Sequence, residues 1–297
     1  MSLLIASFPE TRLVAKKVAG MLNAEYSDIR QASFPDNESK IKLTENPKNK
    51  TTIIISSFSK EPNKKIIETV LASNIAKDYG SNKVIILALY LPYMRQDAHF
   101  ELYDSLSAKS VIKMLSNNCD ELITIDPHLH RIESLRKISK NAREISTNNL
   151  LAGYIKSRYA RFTIVGPDNE SQQWGKRIAE QLNKEAIILK KTRTSSEKVK
   201  IHYKKLPSNI LIIDDIISTG QTLLETIKMA EVQGAENIVC IGIHGLLLNG
   251  IDKQITKHAK LITTNTIQNK YAEIDVSPLI AEELGKRRSH AITCSQG

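Results

Sequence analysis

The sequence predicts an α/β fold built on largely parallel sheets, and three observations carry that reading. Short apolar runs rich in β-branched residues recur along the chain. They are nearly continuous rather than alternating, as strands covered on both faces are. Segments with helical periodicity lie between them, and strand–helix alternation is the signature of parallel sheets with helical crossovers.

The strand-like runs are TTIIISS at 51–57, KVIILALY at 83–90, ELITID at 121–126 and RFTIVGPD at 161–168. They continue with EAIILKK at 185–191, NILIIDDIIS at 209–218, NIVCIGIHG at 237–245 and KLITTNTI at 260–267. In 62–79, Ile66, Ile67, Val70, Leu71 and Ile75 define one apolar helical face. In 220–233, Leu223, Ile227 and Ala230 do the same, and Gly234 stands where a helix C-terminus favours glycine. A length of 297 residues suits about two domains. The polar stretch KISKNAREISTNN at 137–149 separates two strand-rich halves, so the expected boundary lies near residue 142, with domains at 1–142 and 143–297.

Composition narrows the class. Hydrophobic residues make up 41% and charged residues 25%, ordinary for a globular chain. The longest apolar run, VIILALYL from Val84 to Leu91, is far too short to span a bilayer. The start, MSLLIASFPETR, lacks a basic n-region and meets Pro9 at once, so no signal peptide is read there. Cys119, Cys240 and Cys294 are scattered without metal-ligand spacing, which fits reduced thiols and a cytoplasmic location. The net charge is +10, but aromatic residues are only 5% and are not interleaved with the lysines. Scattered solvated lysines explain this better than a nucleic-acid face. The tail KRRSHAITCSQG shows no readable pattern and is expected to fray.

The strongest chemical signal is ILIIDDIISTGQTLLET at 210–226. An apolar strand ends in Asp214 and Asp215. The turn Ser218, Thr219, Gly220 follows, and a helix begins. Turn amides at a helix N-terminus form an anion site, to which Ser218, Thr219 and Thr222 add hydroxyl donors. The adjacent carboxylates repel phosphate but suit sugar hydroxyls or a nearby magnesium ion. The pattern therefore describes a sugar-phosphate pocket. Its bland counterpart is an acidic strand end with a Ser/Thr helix cap.

That segment resembles the phosphoribosyl pyrophosphate (PRPP) loop of the type I phosphoribosyltransferase superfamily. SFPDNESKIKL at 33–43 resembles the ATP-binding hairpin of the ribose-phosphate pyrophosphokinases, and LPYMRQDAHF at 91–100 their second ATP-binding stretch. TIDPHLH at 124–130 resembles their metal-linked strand end, KKTR at 190–193 their catalytic flexible loop, and IHGLLLNG at 243–250 another strand–loop. The blocks occur in the family's order.

The resemblance implies two phosphoribosyltransferase-type domains, each a largely parallel sheet flanked by helices. It implies an enzyme using Mg²⁺ to transfer the β,γ-diphosphoryl group of ATP to ribose 5-phosphate, giving PRPP and AMP. Phe34, Asp36, Glu38, Arg95, Gln96 and Asp97 are then expected at ATP. Asp214, Asp215, Ser218, Thr219, Gly220 and Thr222 are expected at ribose 5-phosphate, His128 and Asp168 at the metal, and Lys191 and Arg193 in catalysis. It also implies a homo-oligomer, dimer or larger, whose hairpin reaches a neighbour's nucleotide site. Nucleic acid and membrane are not expected partners.

From the residues alone, Pro35-Asp36-Asn37 is also good turn chemistry, and Arg95 to Asp97 suit a solvated loop. The run from Lys190 to Lys205, seven cations in sixteen residues, suits a solvated flap. Two departures stand out. The family's usual SPD-x-GG loop is GPDNES at 166–171, with Glu170 and Ser171 replacing the glycine pair, and Gln221 replaces a usual glycine. The alternatives are a catalytically silent regulatory homologue, which GPDNES supports, and a phosphoribosyltransferase that consumes PRPP. The second would lack the two ATP blocks.

Overall fold

The structure is a computed structural model that describes residues 2–99, 101–129, 131–166, 172–188 and 206–293, with the side chains of 172–174, 188 and 287–293 outside the description. The chain forms two compact units. The first holds Met1–Ser146, Thr266–Gln268 and Asp275–Gly297; the second holds Thr147–Asn265 and Asn269–Ile274.

In chain order the first unit contains β1 (Leu3–Ser7), α1 (Arg12–Leu22), β2 (Glu25–Ser33), β3 (Ser39–Leu43), β4 (Thr51–Ser57) and α2 (Pro62–Asp78). Then come β5 (Lys83–Tyr90), α3 (Ser107–Asn117), β6 (Glu121–Ile125) and β7 (Ala142–Ile145). The second unit contains α4 (Asn148–Arg158), β8 (Thr163–Gly166), α5 (Gln172–Gln181), β9 (Ala186–Ile188), β10 (Asn209–Ile217) and α6 (Gln221–Val232). It continues with β11 (Asn237–Gly245), α7 (Ile251–Ile255), β12 (Lys260–Thr264) and β13 (Ala272–Ile274). The last helix, α8 (Ser277–Thr293), returns to the first unit. The tail therefore continues as helix through Thr293, where fraying was expected from Lys286 onward.

The first sheet has strand order β3-β2-β1-β4-β5-β6-β7, and the second β13-β12-β11-β10-β8-β9. Every pairing is parallel except the β2–β3 hairpin. Each sheet buries both faces. In β4, all seven residues are buried, and alternate positions feed opposite layers. Ile54 packs with Ala6, Phe8, Ala72 and Ala76, while Ile53 and Ile55, pointing the other way, are equally sealed. In the second unit, Leu223, Ile227, Ile251 and Ile255 cover one face of the sheet. Leu151, Ile155, Ile178 and Ala179 cover the other. The helix read from 220–233 presents the expected Leu223, Ile227 and Ala230. Gly234 follows it in the left-handed region, φ +94°.

Helix α2 departs from its periodicity. Its buried face is Lys65, Ile66, Glu68, Thr69, Ala72, Ser73 and Ala76, whereas Ile67 is 52% and Leu71 36% exposed. Small residues let the helix approach the sheet closely, and each buried hydroxyl there is bonded. Ser56 and Thr69 pair at 2.9 Å, and Ser73 donates to the Asn118 carbonyl.

Helix α8 packs along α1. Lys17 pairs with Asp275 at 2.8 Å, and Arg143 bridges Glu121 at 2.8 Å and Glu283 at 3.0 Å. Cys119 and Cys240 are buried free thiols. Among the described residues, no helix is long and apolar enough to cross a membrane.

Ile54 is fully buried between a central strand and α2. Ile54→Ala is expected to cost about 2–5 kcal/mol, because the site cannot collapse onto a flat sheet. Urea unfolding should show a lowered midpoint at unchanged slope.

Candidate functional site

The C-terminal end of β10 builds the first candidate site. Strand β10 pairs in parallel with β11, with Asp214 opposite Gly242 and Ile217 opposite Gly245. The two carboxylates differ in exposure, Asp214 being half-buried and Asp215 buried. Asp214 follows Ile210 and Ile212, which join the layer under α6 and α7. Asp215 follows Leu211 and Ile213, which join the layer under α4 and α5. Asp215 is buried, and its Oδ1 accepts from the Ile216 amide at 2.8 Å. The Asp214 Oδ1 accepts from the Asp215 amide at 3.0 Å. Burial first, and then the charge of Asp214, push the Cys240 thiol far above its ordinary range.

The turn after β10 depends on Gly220. Its φ of +62° is left-handed, and a Cβ there would lie 2.4 Å from Ile251 Cγ1. Glycine is needed on both counts. The helical ladder opens with Leu224 donating to the Gly220 carbonyl at 2.9 Å. The first-turn amides precede that ladder, the arrangement that cradles anions. Ser218 and Thr222 are half-buried and Thr219 is exposed. Gln221 is exposed and reaches Glu225 at 3.3 Å, so the residue in place of a glycine points along the helix.

The IHGLLLNG segment supports this turn. The Leu247 amide donates to the Ile217 carbonyl and the Leu248 amide to the Ser218 carbonyl, both at 3.0 Å. Leu247 and Asn249 adopt positive φ to do so. The sequence marked the block but not this role, since nothing local shows which carbonyls it meets. Gly242 and Gly245 lie beneath: a Cβ would come within 2.5 Å of Ile217 Cδ1 and 2.6 Å of Thr263 Cγ2, respectively.

The first unit carries the other candidates. The hairpin turn is closed by the Phe34 amide donating to the Glu38 carbonyl at 2.8 Å. Asn37 sits at φ +70°, and Asp36 Oδ1 caps the Glu38 amide at 3.1 Å. The turn chemistry read from Pro35-Asp36-Asn37 is therefore present, and it displays Phe34 at 48% exposure. Arg95 and Gln96 are exposed on the loop after β5.

Asp97 differs from its two neighbours. It is buried, and both of its oxygens are held by Arg131, Oδ2 by the backbone amide at 3.0 Å and Oδ1 by the guanidinium at 2.8 Å. Arg131 was not singled out in the sequence, although a buried carboxylate requires such a partner. His128 is half-buried on the loop after β6, two residues beyond Asp126, whose φ of +34° is strained for a non-glycine residue. Among the described residues, no three His, Cys, Asp or Glu side chains group as a metal site. Lys191, Arg193, Asp168 and the replaced pair Glu170 and Ser171 lie outside the described residues.

Gly220→Ala should cost about 1–3 kcal/mol, combining the strained φ with the clash on Ile251. The double mutant Gly220→Ala/Ile251→Ala should lose less than the sum of the single losses, because the second change removes the clash. Urea unfolding of all four proteins tests this; strict additivity would show that the contact does not limit the turn.

Residues 3–118 match the family model described as the N-terminal domain of ribose phosphate pyrophosphokinase, and residues 132–280 match that of the phosphoribosyl transferase domain. The ribose-phosphate pyrophosphokinase of Pyrococcus abyssi is 30% identical over 264 residues, covering 88% of this chain and 91% of that protein. That of Sulfurisphaera tokodaii is 29% identical over 286 residues, covering 92% and 97%. The crystal structure of phosphoribosylpyrophosphate synthetase from Mycobacterium smegmatis matches with a TM-score of 0.86 at 19% identity, across 98% of this chain and 100% of that one. It shares the fold, two phosphoribosyltransferase-type sheets flanked by helices. This chain belongs to the ribose-phosphate pyrophosphokinase family.

Proposed function

We propose that this chain transfers the β,γ-diphosphoryl group of ATP to the 1-hydroxyl of ribose 5-phosphate. The observation that carries the reading is the Gly220 turn, where helix amides stand beside Asp214 and Asp215. The 5-phosphate fits the amides and hydroxyls of Ser218 to Thr222, and the carboxylates suit the ribose hydroxyls. Their different burial assigns them different work. Asp214, half-buried, is the better placed to meet a ligand; Asp215, buried and bonded to its own strand, shapes the strand end.

ATP is assigned to the hairpin and the 91–100 loop. Phe34 offers an exposed ring for the adenine, Asp36 and Glu38 offer acceptors, and Arg95 and Gln96 offer donors. Asp97 is assigned a supporting part: its pairing with Arg131 holds the loop bearing Arg95 and Gln96.

In the reaction, the ribose 1-oxygen bonds to the β-phosphorus as the bond from that phosphorus to the α,β-bridging oxygen breaks. AMP leaves with that oxygen, and the hydroxyl proton passes to solvent. Charge builds on the equatorial oxygens, where Lys191 and Arg193 are assigned to stabilise it. In-line positioning supplies much of the remaining acceleration and needs no dedicated base.

The described residues build no all-protein metal cage. Mg²⁺ is commonly held by one or two carboxylates together with substrate phosphates. Asp168 and His128 are the residues assigned to it, and the ion would neutralise phosphate charge. The setting we assign is the cytoplasm, in a homo-oligomer of at least two copies. Neither nucleic acid nor membrane is a proposed partner.

A coupled assay for AMP release, with and without ribose 5-phosphate, tests the reading. AMP should form only when both substrates and Mg²⁺ are present. No AMP under any condition would favour the silent regulatory homologue, which the GPDNES departure supports. Lys191→Ala and Arg193→Ala should each lower kcat by roughly 10²-fold with little change in KM; a rise in the KM for ATP alone would assign them to ground-state binding. Asp214→Ala should raise the KM for ribose 5-phosphate and leave that for ATP unchanged. Unchanged kinetics would remove Asp214 from the sugar site.

For the shared site, a Phe34→Ala/Asp36→Ala mutant is mixed with a Lys191→Ala/Arg193→Ala mutant under conditions that exchange subunits. Partial activity should return if the hairpin serves a neighbour. No recovery would place hairpin and flap in one subunit's site.

A further inference from the structure

The hairpin assigned to ATP has a support problem. Strand β1 pairs with β2 only from Glu25 to Asp28. Beyond that point, Ile29 to Ser33 pair only with β3, which is the edge strand of the sheet. The end carrying Phe34 is thus a two-stranded ribbon, and such a ribbon is marginal by itself. Something else must fix the direction in which Phe34, Asp36 and Glu38 are presented.

The fixing contacts come from α2. Gln31 and Ser33 lie on one face of β2, and their partners Ile41 and Ser39 lie on the same face of β3. Ile41 packs on the core, while the polar members meet Glu68. Glu68 is 1% exposed. Its Oε2 accepts from Gln31 Nε2 at 2.5 Å, and its Oε1 accepts from Ser39 Oγ at 3.2 Å. One carboxylate therefore clamps both strands of the ribbon just before its turn. Lys64 adds a longer contact to Ser33 at 3.4 Å.

Burying that carboxylate requires a counter-charge. Lys65, one turn back on α2, supplies it at 3.0 Å, and Glu10 holds Lys65 at 3.0 Å from the other side. The ammonium also lies 4.0 Å from the centroid of the Phe8 ring. The Glu10–Lys65–Glu68 chain fixes Glu68 between the core and the hairpin. This explains why α2 turns Lys65 and Glu68 inward while Ile67 and Leu71 face out.

We infer that Glu68 is a positioning residue for nucleotide binding: through Gln31 and Ser39 it sets the angle of the hairpin that presents Phe34, Asp36 and Glu38. The inference rests on the reading of that hairpin as the ATP element, and the experiment separates the two.

Gln31→Glu sets a second carboxylate against Glu68, and Gln31→Ala/Ser39→Ala removes both donors. Both sets of changes lie on the hairpin and leave the buried Lys65–Glu68 pair in place. Hydrogen exchange of the full chain is measured across 29–43, together with KM and kcat for both substrates. Losing hydrogen bonds to a charged group should raise the KM for ATP about tenfold, with the KM for ribose 5-phosphate unchanged. Exchange at the Phe34 and Asn37 amides should quicken while the rest of the chain keeps its protection. Glu68→Gln, which keeps an acceptor for Ser39, should have a smaller effect than Glu68→Ala. Unchanged exchange in both hairpin variants overturns the clamp. Faster exchange with an unchanged KM for ATP also overturns the positioning role. In that outcome Phe34→Ala is the arbiter: a raised KM for ATP keeps the hairpin at the nucleotide, and an unchanged one removes the hairpin reading as well. Equal rises in both KM values would mark a general loss of structure and reject the inference.

Discussion

Parallel strand pairing is the constraint on which the rest of this structure depends. Parallel neighbours cannot be joined by a tight turn, so the chain must cross over, usually as a helix, and return. The crossover covers a sheet face and forces strands such as β4 and β10 to be apolar on both sides. It also fixes where chemistry can occur. At the C-terminal ends of strands such as β4 and β10 a helix follows, and its first amides lack helical acceptors. The Gly220 turn is that point for β10, and the loop bearing His128 occupies the same place after β6.

These strand ends carry unusual backbone. Gly220, Leu247 and Asp126 all adopt positive φ. At Gly220 the cause is visible: Ile251 fills the space a Cβ would need, and the neighbouring segment ties down two carbonyls. The turn after β10 is therefore shaped by residues more than twenty-five positions further along the chain. Its geometry comes from core packing.

Buried charge is the second organising feature. Asp97, Glu68 and Glu121 each lie inside with a cation beside them, namely Arg131, Lys65 and Arg143. A buried pair contributes little net stability, but breaking one leaves an uncompensated charge. Such pairs therefore hold a geometry more than they stabilise a fold. Two of the three sit under segments assigned to ATP: Asp97 under the loop of Arg95 and Gln96, and Glu68 under the hairpin. The third joins the sheet to α8 through Glu283.

The sequence by itself determined the α/β class, the two sheets and the strand–turn–helix order of the 210–226 segment, because those signals are local. Burial on both faces leaves uninterrupted apolar runs, and a strand, an acidic pair, a glycine turn and a helix are consecutive residues. Apolar patterning did not reveal β2 and the edge strand β3, whose residues are largely exposed, nor the short strands β1, β7 and β13; the hairpin was legible only through its family resemblance. It also misplaced part of the α2 face: Ile66, Val70 and Ile75 pack inward as expected, but Ile67 and Leu71 face out. Periodicity assumes that apolar residues turn inward, but here the closeness of the sheet and the Glu68 clamp select small and polar ones. Only the tertiary structure decided that Asp97 belongs to Arg131, that the Leu247 and Leu248 amides hold the turn after β10, and that α8 docks on α1. Each of these depends on partners distant in sequence, which residue type alone does not specify.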